Sequence, residues 1–453
     1  MVKQNDIRSI IEQEMKKKGY NLSQFSRFSG MNRGTLSLIL NKNPAKLPSI
    51  PQIDKIAEAL GYEQGWLYEL YLEECFEREV PHWRRLKKFL YRCLQLNKQV
   101  LINRVLSWLI EDLDQTVAVF AAAEEWYYEG YRKELIPFYQ YVVNNEKYLH
   151  AERLAISHYR IFCLSQGRNS ENNLRAAIIF EPYRYKLPVG YKLDALMKIA
   201  NVYYIQKIWG KVELFADELR EVAKEVYKSR FYLNNVYDEP GLSTERHLVV
   251  YYGQGYVLKS NALAEQGKYE DALKYMNGYQ NLSWFDGLDK DGEKEVLKLS
   301  HFAKANFFAV NVLKGNQEFF PKYVEFLRSN YNEVLPGLMT ILTAANKHDF
   351  IIDHIINEFL TIIEMMKEDL QNSDKYYTNA SNIDRFENLY RQLAIYHFRQ
   401  ANYSQGIEYM SKCLAIANQI NKKSEFTEYP ELLKVLKEWS LLMERNQKAD
   451  PTD

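Results

Sequence analysis

The sequence predicts an all-α protein in two parts, a small basic head followed by a long body of recurring helix pairs. Glycine and proline number only 19 and 12 in 453 residues, too sparse for an all-β or loop-rich fold. Apolar residues recur at helical spacing through most of the chain, and beyond Gly61 strand-like alternation is almost absent. With 47% hydrophobic residues and 35 Tyr, 22 Phe and 7 Trp, the chain holds too much apolar surface to stay disordered. It is also longer than one core usually takes, which implies two domains or a repeat array.

Charge is partitioned along this length. Lys plus Arg equals Asp plus Glu at 59 each, so no whole-protein field is available to hold nucleic acid or an anionic membrane. From Met1 to Leu60, however, ten basic residues face five acidic ones, a net of +5, and the remaining 49 basic and 54 acidic residues leave −5. A basic head on an acidic body suits a head that sits on phosphates while the body is kept off them. Cys75, Cys93, Cys163 and Cys413 lie far apart and form no C-x-x-C pair, which fits a reducing compartment. The stretch MVKQNDIRSIIEQEMKKKGY lacks the apolar region and cleavage site of a secretory signal, and no run of about 18 apolar residues occurs. The expectation is a soluble, cytoplasmic chain with no membrane partner.

The head opens with Ile7, Ile10, Ile11 and Met15 on one helical stripe, stopped by Gly19. In NLSQFSRFSGMNRGTLSLILN, Asn21 to Asn41, two short helices are separated by Gly30, with Asn21 or Ser23 as N-cap of the first and Asn32 of the second. Phe25, Phe28, Met31, Leu36 and Ile39 are expected to lock the pair at the angle a three- or four-residue turn allows. After a loop bounded by Pro44 and Pro48, the segment IPQIDKIAEALG brings Ile53, Ile56, Ala57 and Leu60 to close a small core.

These residues resemble the DNA-binding module of the Xre/lambda-repressor helix-turn-helix class over about residues 5 to 74. The likeness rests on Phe25 ahead of Gly30, the polar opening Asn32, Arg33, Gly34 and Thr35, the apolar Leu36, and the trailing ALG followed by a helix ending in LYEL. In that class the helix beginning near Asn32 enters the major groove. The resemblance therefore implies Asn32, Arg33, Thr35 and Ser37 as base-edge or phosphate contacts, with Arg33 suited to bidentate recognition of a guanine. Leu22 stands where the class often has a phosphate-clamping glutamine, and Gly34 and Leu38 replace side chains that often reach base edges. That departure implies a narrow readout, or one assisted by DNA shape. A protein–protein adaptor of the same topology is the alternative for this segment.

In the body, periodic segments recur as pairs. In YVLKSNALAEQGKYEDALKYM, small Ser260 and apolar Leu263 lead to Gly267, then to Tyr269, Ala272 and Leu273. The pattern supplies a small residue where two helices touch, a turn glycine, an aromatic plug and an alanine that permits close return packing. It looks like a tetratricopeptide repeat. Sliding it along the chain places further turns at Asn97, Gly130, Gly167, Lys207, Gly315, Lys347 and Ala401. The helices between them contribute sets such as Leu196, Ile199, Ala200, Tyr203, Trp209 and Val212, or Leu393, Ala394, Tyr403, Gly406 and Cys413. Uneven spacing implies insertions at 237–247, 283–294 and 373–382.

The expected architecture is thus a lambda-repressor-like helix-turn-helix domain at 1–74, a tetratricopeptide-like helical-repeat superhelix at 75–445 and a disordered tail at 446–453. A stack of helix pairs curves, and its inner wall offers a groove to an extended peptide. Asn201 and Asn261 each follow the small residue of a repeat, where an amide can pair with a peptide backbone whatever its side chains. Tyr204 and Gln254 are placed on the same inward face.

Head and body together resemble the RRNPP family of Gram-positive and phage quorum-sensing receptors, in particular the long NprR-like and AimR-like members. The resemblance implies a transcriptional regulator that binds double-stranded DNA, responds to a short signalling peptide and forms a homodimer. Dimerisation also follows from the limited surface one small module buries on DNA. Leu389 to Glu444 is the expected dimer surface. The competing reading is an interaction protein whose repeats sequester another regulator, with the head as an adaptor. No enzyme, cofactor or metal is expected: His348 and His354 fall on different helix faces, no HExxH or P-loop occurs, and Gly253 and Gly255 lack the third glycine of a dinucleotide cradle. The run WYYEGY, Trp126 to Tyr131, reads as repeat packing.

Overall fold

The computed structural model describes residues 6–41, 47–76, 82–109, 113–146, 152–167, 169–232, 244–369 and 379–419. Every regular element among them is a helix, and the chain separates into two compact units, 1–165 and 166–453. The expected all-α class, a helix-turn-helix head followed by a helical body consistent with a repeat superhelix, is what folds.

Unit one comprises α1 (Ile7–Lys17), α2 (Leu22–Ser29), α3 (Arg33–Leu40), α4 (Ile50–Ala59), α5 (Tyr68–Phe76), α6 (Trp83–Gln95), α7 (Gln99–Trp108), α8 (Leu113–Tyr128), α9 (Ile136–Asn145) and α10 (Glu152–Ser165). Its core is continuous: Phe25, Leu36 and Ile53 of the first helices belong to the same buried cluster as Phe89, Ile102, Trp126 and Phe138. Polar contacts stitch the same elements. The buried Asp54 carboxylate of α4 accepts the Tyr68 hydroxyl at 2.9 Å and the Arg92 Nε–H of α6 at 2.9 Å, while Glu74 of α5 accepts the backbone N–H of Ile7 at 2.7 Å, closing the start of α1. The segment LYEL opens α5 instead of ending a helix, because Gly65, at φ 83°, turns the chain just before it.

Unit two comprises α11 (Ser170–Phe180), α12 (Val189–Ile205), α13 (Trp209–Tyr232), α14 (Leu248–Glu265), α15 (Tyr269–Met276), α16 (Lys290–Leu313), α17 (Phe319–Arg328), α18 (Val334–His348), α19 (Asp353–Asp369), α20 (Asn379–Arg399) and α21 (Tyr403–Gln419). From α12 onward the helices pack as successive pairs, α12 on α13 through α20 on α21, and each leading helix also packs on the next, α12 on α14, α14 on α16, α16 on α18 and α18 on α20. This nearest-neighbour pattern is that of a helical-repeat array.

The turns that join the pairs show why the template found them. Asn97, Gly130, Lys207, Gly267, Gly315 and Ala401 all have positive φ, the left-handed step that lets a helix end and the chain reverse. At Gly267 the N–H donates to the Ala264 carbonyl and the next N–H, of Lys268, donates to Leu263, the two bonds of a Schellman motif. Lys207 and Ala401 repeat the pair. Two expected turns fall elsewhere. Lys347 lies inside α18 and the left-handed residue is Asp349, at φ 60°. Gly167 is not left-handed; its N–H and carbonyl are instead clasped by the Asn173 side chain, at 2.9 and 2.8 Å.

Small residues set the interhelix distances. The Ser260 hydroxyl, fully buried, donates to the Ala272 carbonyl at 2.9 Å across the α14–α15 contact. Gly253 and Gly255 sit mid-helix in α14, where a Cβ would lie 2.5 Å from the Leu299 side chain and 2.9 Å from Arg220 Cβ of α13. They serve close packing, not phosphate binding. Trp126 of the WYYEGY run is buried, as repeat packing requires. Of the expected insertions, 283–294 is only partly irregular, since the connection before α16 spans 277–289 and Lys290 onward is helical, and most of 237–247 and 373–382 lies outside the described residues. The same holds for 420–453, which includes the expected tail and much of the expected dimer surface.

Candidate functional site

The turn between α2 and α3 is built from short-range bonds that the local sequence dictates. Asn21 caps α2 in a reciprocal box, its side-chain Oδ1 accepting the Gln24 N–H at 2.9 Å and its backbone N–H donating to Gln24 Oε1 at 2.9 Å. Gly30, at φ 59°, ends that helix. The Ser26 hydroxyl then reaches over the turn to the Met31 carbonyl at 2.6 Å, and Asn32 caps α3 by accepting the Gly34 N–H at 2.7 Å. Phe25, Met31, Leu36, Ile39 and Leu40 are buried against Ile11, Met15, Ile50 and Ile53, which holds α3 at a set angle to α2. Phe28 does not join them. It is 64% exposed and packs at a tilt against Tyr20 with ring centroids 5.0 Å apart, because Phe25 and Ser29 occupy the inward stripe of this two-turn helix.

On α3 the residues opposite the buried Leu36, Ile39 and Leu40 form the solvent face. Arg33 and Gly34 are exposed, Ser37 is half-buried and accepts from the Asn41 amide at 3.4 Å, and Leu38 and Asn41 are exposed. Thr35 is half-buried, turned toward the flank of this face. Of the four expected DNA-contact residues, Arg33, Thr35 and Ser37 lie on α3 and Asn32 is its N-cap. Arg33 is the long cation among them, and the Asn32 carbonyl is engaged by the cap, leaving its NH2 to bond elsewhere. Leu38 and Asn41 complete the face and escaped the sequence reading as contacts; their spacing from Gly34 and Ser37, i+4 in each case, was the available signal. The exposed N-terminus of α3 adds partial positive charge beside Arg33. Arg27 at the end of α2 and Lys16 and Lys18 at the end of α1 are also exposed.

Residues 11–70 match the family model of the Cro/C1-type helix-turn-helix DNA-binding domain. This segment is a Cro/C1-type DNA-binding domain. No curated protein matches the chain. The matched span runs from within α1 to within α5, so the Cro/C1-type domain ends in sequence before α6 while its core continues into that helix through Asp54 and Arg92. Among the described residues no helix is long and apolar enough to cross a membrane, and no group of three or more His, Cys, Asp or Glu is arranged to hold a metal ion.

The expected peptide-contact residues lie on α12 and α14, neighbouring helices of the repeat array. Asn201 precedes the left-handed Lys207 by the same six positions that separate Asn261 from Gly267, so the two occupy one register. Asn201 is exposed. Asn261 is half-buried, and its carbonyl accepts the Asn306 amide of α16 at 3.1 Å, the same amide that donates to the Tyr279 hydroxyl at 2.9 Å. Tyr204, half-buried, meets Trp209 edge-on at 5.4 Å, and Gln254 is half-buried on α14. Asn306 and Tyr279 extend this polar line and were missed because their approach depends on how α14 and α16 pack. Close by in sequence, burial pushes the Glu265 carboxyl pKa up, with Lys207 and Arg391 drawing it the other way.

Proposed function

We propose that the chain is a sequence-specific transcriptional regulator whose Cro/C1-type domain reads DNA through α3 and whose repeat array binds a short signalling peptide, acting as a homodimer in the cytoplasm. The observation that carries the DNA half is the match of residues 11–70 together with the exposed face of α3 beginning at Arg33. Support for the peptide half is the paired-helix array and the equivalent register of Asn201 and Asn261, and it remains the family likeness drawn from the sequence that names the peptide as ligand. On this reading residues 1–74 are the DNA-reading module and 75–445 the sensing and dimerising part. The peptide must bind two arrangements of the body unequally, since only differential affinity shifts an equilibrium.

Two measurements test this. Titrating a random duplex at several salt concentrations should give a log K that falls linearly with log salt, with a slope set by the number of phosphates neutralised; a flat response removes the DNA half and favours the sequestering reading. A cognate peptide at about 100 times its Kd should stabilise the protein by about 2.7 kcal/mol. The double variant Asn201→Ala, Asn261→Ala should abolish that rise, and a rise that survives the substitutions places the peptide elsewhere.

A further inference from the structure

The DNA-reading face of α3 contains an apolar side chain that no hydrogen-bonding role explains. Leu38 is 38% exposed, on the same face as Gly34, Ser37 and Asn41 and opposite the buried Leu36, Ile39 and Leu40. One turn earlier on that face, Gly34 contributes no side chain, and a Cβ there would meet only the Asn32 Oδ1, at 3.1 Å. The helix therefore presents bare backbone at its first turn, which lets it approach a groove floor closely and carries the next turn's Leu38 to the base edges. Single exposed leucines are ordinary on a protein surface; this one is distinguished by its place on an eight-residue helix whose other outward side chains are Arg33 and Ser37, with the C-cap Asn41 beside them. In the major groove the natural bases offer one apolar group, the 5-methyl of thymine, and 5-methylcytosine carries the same group.

We infer that Leu38 reads a pyrimidine 5-methyl group in the major groove, and that the recognised sequence contains a thymine or methylated cytosine within its reach. The inference rests on the DNA-reading function proposed above. It accounts for a recognition helix with few long polar side chains: Arg33 supplies the hydrogen-bonded base or phosphate contact at the first turn, and Leu38 supplies an apolar contact one turn further along.

The test uses the full chain. Duplexes are selected from a random pool, then each thymine of the selected site is replaced in turn by uracil, which lacks only the methyl, and each cytosine in turn by 5-methylcytosine. Wild type should bind about fourfold more weakly when the contacted thymine loses its methyl, the effect of one buried methyl-sized group. Leu38→Ala should bind the parent site about fourfold more weakly and be indifferent to that uracil; alanine favours the helix, and an unchanged Tm verifies that the variant folds. Indifference to every uracil with a similar gain on one 5-methylcytosine, abolished in Leu38→Ala, assigns the contact to methylated cytosine. Uracil losses that persist in Leu38→Ala, or the absence of any methyl effect, overturn the inference while DNA reading stands. A chain that selects no sequence removes the reading beneath it as well.

Discussion

On the proposed reading, Arg33 and Leu38 divide the work of α3 by chemistry, one offering a fork of donors and the other an apolar surface. Arg33→Ala should cost about 1–3 kcal/mol on a selected site and relax base preference at one position, measured as Kd against a panel of single-base variants. A uniform loss across all variants would make Arg33 a phosphate contact instead. A second residue-level property sits away from this face. His158 in α10 is buried, and burial pushes its pKa down from 6.5 to about 4. The folded protein keeps the ring neutral to about pH 4, whereas the unfolded chain takes up the proton near 6.5, so unfolding binds a proton between those values. Stability is therefore full above pH 6.5 and falls as the pH is lowered toward 4. Denaturant midpoints recorded across this range should show that fall, and His158→Met should flatten it; an identical slope in the variant would assign the acid sensitivity to other groups.

The first helix of a pair ends on a left-handed residue, and the chain meets that requirement unevenly. Gly130, Gly267 and Gly315 adopt positive φ freely, whereas Lys207 at φ 56° and Ala401 at φ 58° carry a Cβ into the same region. The left-handed step costs an L-residue about 1–2 kcal/mol, partly offset in a glycine by about 0.5–1 kcal/mol of extra unfolded-state entropy. Ala401→Gly should accordingly stabilise the fold by about 0.5–1 kcal/mol in chemical denaturation, while Asn97→Gly should change little because asparagine tolerates this conformation. The opposite sign holds within α14. Gly255→Ala would set a Cβ 3.0 Å from the Arg220 backbone nitrogen, and because that neighbour is helix backbone the α13–α14 spacing must open. A loss of about 1–3 kcal/mol is expected, read from the same unfolding curves.

At the scale of the molecule, the DNA-binding segment is not a bead on a string. Tyr68, Tyr71 and Leu72 of α5 are buried among α6 and α7 residues such as Phe89 and Ile102, and the Asp54–Arg92 ion pair crosses from α4 to α6. A fragment of residues 1–165 should fold cooperatively and bind DNA, whereas 1–74 should lose that cooperativity, since it exposes this apolar surface and strands the buried Asp54 charge, worth about 3–5 kcal/mol when its partner is removed. Near-ultraviolet circular dichroism and thermal unfolding of the two fragments decide the matter. Equal cooperativity would show that the shared core is not needed by the head. The compact unit 1–165 thus extends well beyond the matched segment 11–70.

Local chemistry in the sequence determined the helices, their caps and most of their turns. Asn21, Asn32, Gly30 and Gly267 act through bonds to residues only a few positions away, so their roles are legible from order alone. The polar opening of α3 was legible for the same reason, and the match of residues 11–70 agrees with it. Tertiary packing alone decided what lies far apart in sequence: that Phe28 stays outside the core, that the Asn306 amide meets both Asn261 and Tyr279, and that the first compact unit runs to Ser165. Periodicity states which stripe of a helix is apolar, but the neighbour that covers the stripe is chosen by the three-dimensional fit of side chains.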